Sequence, residues 1–79
     1  MRMVDKIRSV LASLGGEATL QAIYDEIARQ FSIPVPSWRQ AGIRKEIQRH
    51  SSASALWNGA RPDYFYSVHG KGKGVWGLR

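Results

Sequence analysis

Residues 37–50 read Ser37-Trp38-Arg39-Gln40-Ala41-Gly42-Ile43-Arg44-Lys45-Glu46-Ile47-Gln48-Arg49-His50. Pro34 and Pro36 stand just before, and each restricts itself and its predecessor to non-helical backbone. Ser37 with Gln40 three residues on has the spacing of a capping box, which predicts a helix over about residues 38–50. Its apolar content is thin. With Ile43 at zero on a wheel of about 100° per residue, Ile47 falls at about 40° and shares its side. Trp38, Ala41, Arg44, Lys45 and Gln48 fall between about 100° and 220°, on the far side. Such a helix gives two isoleucines to a core and turns two cations, an amide and a large aromatic outward.

Upstream, the pattern is different. Val4, Ile7, Val10, Leu11 and Leu14 recur at spacings of three and four, so residues 3–14 are expected to form an amphipathic helix. Gly15-Gly16 ends it, because glycine accepts the left-handed backbone of a helix C-terminus. A short extended piece, Glu17-Ala18-Thr19, follows. Thr19 caps a second helix over residues 20–31, whose stripe is Leu20, Ile23, Tyr24, Ile27 and Phe31.

Downstream, residues 51–63 carry no periodicity, and Asn58-Gly59 is a turn signal. Tyr64-Phe65-Tyr66-Ser67-Val68 reads as a strand, and Val75-Trp76-Gly77-Leu78 as a second. Between them lies His69-Gly70-Lys71-Gly72-Lys73-Gly74, a glycine-rich basic hairpin tip. Alternation makes Phe65, Trp76 and Leu78 inward anchors. Trp57 is a further candidate to close the core after the third helix, while His50 and His69 read as a surface helix end and a turn. The order is helix, short strand, two helices, strand, basic loop, strand. It predicts an α+β fold of the winged helix-turn-helix type, a single domain over residues 1–79. In that fold the third helix enters the DNA major groove, and the hairpin, or wing, touches the backbone.

Charge points the same way. There are 12 Lys and Arg against 6 Asp and Glu, for a net charge of +6. Residues 1–36 balance to zero, so the whole excess lies in residues 37–79. A one-sided basic surface attracts a polyanion, and nucleic acid is the commonest one. The composition also excludes. Zero Cys removes disulfides, thiol catalysis and zinc fingers. His50 and His69 stand apart, without a surrounding carboxylate pattern, so no metal site is expected. There is no nucleophile and base pair and no pair of acids, so the chain does not read as an enzyme and calls for no cofactor or small-molecule substrate. The glycine loop joins two strands, with no following helix to hold a phosphate, so it is not a nucleotide-binding loop. No apolar run reaches the length of a membrane span. A soluble, cytoplasmic protein is expected.

The second half resembles winged-helix domains that accompany nuclease domains in bacterial restriction enzymes, including HNH-type and N6-methyladenine-dependent ones. The likeness lies in Ile43-Arg44, then Ile47-Gln48-Arg49-His50-Ser51-Ser52, Asp63-Tyr64-Phe65, and Gly72-Lys73-Gly74-Val75-Trp76-Gly77-Leu78-Arg79. It covers about half the chain closely and the first two helices in pattern only. More distantly, Trp38, Ile43-Arg44 and the Gly-Lys-Gly-x-Trp-x-Leu ending look like the forkhead version of the fold. The spacing from Trp38 to Ile43 is one residue longer here, so forkhead base contacts do not carry over. The resemblance implies a targeting module of a restriction system. It implies a nuclease as fused or associated partner, a nucleoid location in a bacterial cytoplasm, and, as in some members, a preference for sites with N6-methyladenine.

The residues expected at DNA follow from position. On the third helix they are Ser37, Trp38, Arg39, Gln40, Ala41, Arg44, Lys45, Gln48 and Arg49. Arg44, Lys45 and Gln48 suit base edges, since Arg or Lys pairs with guanine and Gln with adenine. Arg39 and Arg49, near the helix ends, suit phosphates. On the wing they are His69, Lys71 and Lys73. Trp38 has two readings: packing against Pro34-Val35-Pro36, or facing outward as an apolar wall for a thymine methyl or an N6-methyl group. Two other functions remain open, a small transcriptional regulator and a winged helix that binds protein.

Overall fold

The computed structural model describes residues 1–70 and 74–79. Three helices, α1 (Met3–Ser13), α2 (Leu20–Phe31) and α3 (Ser37–Arg49), pack on a small sheet of β1 (Glu17–Thr19), β2 (Phe65–Ser67) and β3 (Val75–Leu78). The fold is a small α+β domain with a three-stranded antiparallel sheet in the order β1-β3-β2. The last strand in sequence is therefore the middle one in space.

Each helix gives its apolar stripe to one core. Val4, Ile7, Val10 and Leu11 of α1, Ile23, Tyr24 and Ile27 of α2, Ile43 and Ile47 of α3, and Phe65 of β2 are buried together. The α1 terminus closes as its two glycines demand. Gly16 N–H bonds to Leu11 O at 2.8 Å and Gly15 N–H to Ala12 O at 3.2 Å, with φ of 96° and 90°. Only glycine enters that region without a side-chain penalty. The short strand β1 then leads straight into α2, whose first turn is capped by Thr19: its hydroxyl accepts from Ala22 N–H at 3.1 Å.

The start of α3 departs from expectation. Pro36, not Ser37, is the cap residue, with φ −69° and ψ 173°, and the N–H groups of Arg39 and Gln40 both bond to its carbonyl at 2.9 Å. Ser37 is thus already in the first turn, where its hydroxyl makes no capping bond. The Gln40 amide turns back to Val35 O at 3.2 Å instead of closing a capping box. Proline is suited to the position, since its missing N–H is no loss there and its φ is already correct for the chain to enter the helix.

Three aromatic expectations also change. His50 is buried, not a surface helix end: its ring stacks on Tyr64 at 5.6 Å and its Nδ1 lies 2.9 Å from Glu46 O. Its carbonyl accepts from Tyr64 N–H at 2.8 Å and Phe65 N–H at 3.1 Å, tying the end of α3 to the start of β2. Trp57 stays out of the core and closes its own loop, donating its indole N–H to Arg61 O at 2.9 Å. Phe65 is fully buried, but Trp76 and Leu78 are half-buried and pack against the core edge. They lie on one strand face, as alternation requires, and Trp76 also lines a hollow shared with Gln48 of α3.

Candidate nucleic-acid interface

The outer face of α3 follows from its composition. Ile43 and Ile47 are sunk in the core with no exposure, and they fix the helix's rotation. Ala41, Gly42, Arg44 and Lys45 are consequently exposed, and Gln48 is half-exposed. Trp38 is 68% exposed, so most of its ring faces outward. A ring that exposed leaves most of its apolar surface in water and can gain from a contact.

The cations on this helix divide into two groups. Arg44 and Lys45 form no ion pair among the described residues. Arg39 and Arg49 are held. The Arg39 guanidinium donates to Pro34 O at 2.6 Å and lies 4.6 Å over the Trp38 ring. Arg49 pairs with Glu46 at 3.3 Å. The free charges are therefore those the wheel puts mid-face, and the tethered ones are those at the helix ends. Gln40 is likewise turned inward to Val35 O, which removes its amide from the outer face.

The N-terminus of α3 stands apart from the other two. Asp5 lies in the first turn of α1, and Thr19 caps α2. The first turn of α3 has neither an acidic residue nor a side-chain cap, and exposed Ser37 and Trp38 lie in it. The positive end of its backbone dipole adds to the charge of Arg44 and Lys45.

Two hollows border this ridge. One, of about 500 Å³, runs between Met3 of α1 and Trp38, Gly42, Lys45 and Arg49 of α3. The other lies beside Gln48 and is walled by residues 53–56 and the sheet. Its outer wall is anchored by Asp63, which accepts from Ser52 N–H at 2.8 Å and Ser52 Oγ–H at 2.6 Å, and pairs with Arg79 at 3.2 Å. These bonds, Ser52 first, hold the Asp63 carboxyl below the usual range. Sequence reading missed this second hollow, because its wall is the irregular stretch after α3, where no periodicity marks a surface.

His69 is exposed at the end of the β2 segment, while Lys71 and Lys73 lie outside the described residues. Among the described residues no group of three or more His, Asp and Glu gathers as a metal site would require. No described helix is long and apolar enough to cross a membrane. The chain matches no family model, no curated protein and no solved structure.

Proposed function

We propose that this chain is a winged-helix module that binds duplex DNA, with α3 in the major groove and residues 69–74 as the wing. One observation carries the reading. The third helix commits only Ile43 and Ile47 to the core and leaves Trp38, Ala41, Arg44 and Lys45 exposed, the two cations without ion-pair partners among the described residues. Free cations on a protruding helix attract phosphate and can pair with guanine, and Gln48 beside them can pair with adenine. The restriction of the +6 net charge to residues 37–79 supports the same face. The sheet order, with β2 and β3 joined as an antiparallel pair after α3, fits the winged-helix layout. The resemblance to restriction-associated domains supplies a biological setting: a targeting module that brings a nuclease to its site in the bacterial nucleoid.

The test is a titration of random-sequence duplex at several salt concentrations. Affinity falls steeply with salt, with a slope that reports about four to six phosphate contacts. Lys45→Ala and Gln48→Ala alter preference between sequences, at about 1–3 kcal/mol per lost base contact. Lys71→Ala with Lys73→Ala weakens all sequences alike and makes the salt slope shallower. Absence of binding at low salt defeats the reading.

A further inference from the structure

The hollow beside Gln48 has a chemistry of its own. Its volume is about 290 Å³, near the lower limit of roughly 300 Å³ for small-molecule sites. That suits a flat heterocycle rather than a whole cofactor. Trp76 supplies a half-buried aromatic plane, and Leu56, Ala53 and Ala55 an aliphatic wall. The Gln48 amide offers a donor and an acceptor side by side, and it has no internal partner among the described residues. Ser54 Oγ accepts from Leu56 N–H at 3.2 Å, which leaves its own proton to donate. Ser67 Oγ donates to Gly70 O at 2.6 Å, which leaves its lone pairs to accept.

Among the described residues no charged side chain lines this hollow, although Arg44 and Lys45 stand on the same helix as Gln48. A neutral, planar, hydrogen-bonding slot beside a cationic ridge complements one kind of ligand: a polyanion that carries neutral heteroaromatic groups. We propose that the hollow receives a single unstacked nucleobase, with its ring on Trp76 and its polar edge on Gln48. The backbone of the same nucleic acid lies along Arg44 and Lys45. The proposal rests on the DNA-binding reading and extends it from groove contact to capture of an extrahelical base. A base in an intact duplex must first be unstacked, so a base already displaced is the better ligand.

Three labelled duplexes test this with the full chain at one salt concentration. The first is fully paired, the second carries a one-adenine bulge, and the third has the same bulge with an abasic residue. The two bulged duplexes carry the same extra backbone position and differ in the presence of a base there. The adenine bulge binds at least about fivefold tighter than the abasic bulge, as stacking on one aromatic side chain provides. Trp76→Ala risks unfolding, so the pocket is filled instead. Ala53→Met with Ala55→Met, at two exposed positions, abolishes the preference and leaves affinity for the paired duplex unchanged. Equal affinity for the two bulges, or a preference that survives the filled pocket, overturns the proposal while leaving duplex binding in place. Failure to bind any of the three overturns the DNA-binding reading and the proposal with it.

Discussion

The Tyr66 hydroxyl donates to Glu17 Oε2 at 2.7 Å, across Gly77. Tyr66 is in β2, Gly77 in β3 and Glu17 in β1, and Gly77 is the register partner of both others. One side chain thus straps all three strands, and it can do so only because the middle position lacks a side chain. The aromatic ring replaces the cover that a larger residue would give the glycine backbone.

A methyl group at position 77 would sit closer to the Tyr66 ring than real Cβ contacts allow. Gly77→Ala is therefore expected to destabilise the fold by about 1–3 kcal/mol, the usual range for forced overpacking. Tyr66→Ala alone also destabilises, through loss of the strap. The double variant should be less destabilised than the sum of the singles, because the collision is then absent. Thermal melts of the three variants give the coupling, and simple additivity would show that the ring moves aside at no cost.

Alkaline pH gives a second test of the strap. The hydrogen bond to Glu17, burial and the negative charge of Glu17 together push the Tyr66 phenol above its ordinary value. A raised folded-state pKa contributes stability that is complete below the unfolded value of about 10 and is lost as pH rises through the folded value. The gap in Tm between the native chain and Tyr66→Phe should accordingly be constant from neutral pH to about 9 and shrink above about 10. A gap that is flat to pH 11 would remove the hydrogen bond from the account.

Much of this architecture is legible in residue spacing. The stripes of α1 and α2, the Thr19 cap and the Gly15-Gly16 stop are local, and each rests on neighbours within five positions. The rotation of α3 follows from Ile43 and Ile47 alone, so its outward residues are readable before any fold is known. What escaped depends on distant partners. The burial of His50 needs Tyr64, which reaches it only once β2 has formed. The capping box looked sound because spacing cannot tell whether Pro36 or Ser37 takes the cap. The partial exposure of Trp76 goes with the hollow it lines beside residues 53–56, which strand alternation does not encode. Trp38 was readable as either packed or exposed, since one helical face borders both the preceding loop and solvent.

The core is small, so single truncations should be costly. Ile47→Ala and Phe65→Ala remove fully buried side chains and should each cost about 2–5 kcal/mol. A domain of this kind has about 5–10 kcal/mol in total. Trp76→Ala should cost less than Phe65→Ala, because Trp76 is only partly buried while Phe65 is fully so. Trp38→Ala should leave Tm nearly unchanged, consistent with its 68% exposure. Chemical denaturation ranks the four, and a large loss for Trp38→Ala would return that ring to a structural role.

The riskiest expectation is a preference for N6-methyladenine. It combines the likeness to modification-dependent restriction enzymes with Trp38 and Ala41, two exposed apolar residues on α3. Burying one methyl is worth about 0.8 kcal/mol, and two methyls on a palindromic site about 1.6 kcal/mol, somewhat over tenfold. A GATC duplex in unmethylated, half-methylated and fully methylated forms should therefore bind with rising affinity, and Trp38→Ala should flatten the series. Three equal affinities would leave a DNA-binding domain indifferent to methylation.

The central position of β3 has a bearing on how the chain acquires its shape. β1 is made early in synthesis, but β3, the strand it pairs with, is completed about sixty residues later. Until the ribosome has released Val75–Leu78, the edges of β1 and β2 have no mate, although α1 and α2 can already meet through local contacts. Folding is expected to run in two stages, with a helical pair forming first and the sheet closing last by a long-range step. The ridge on α3 needs that closure, since Phe65 and the residues that hold His50 are delivered with the sheet. Nascent chains arrested before position 75 should thus carry helix without carrying a binding surface.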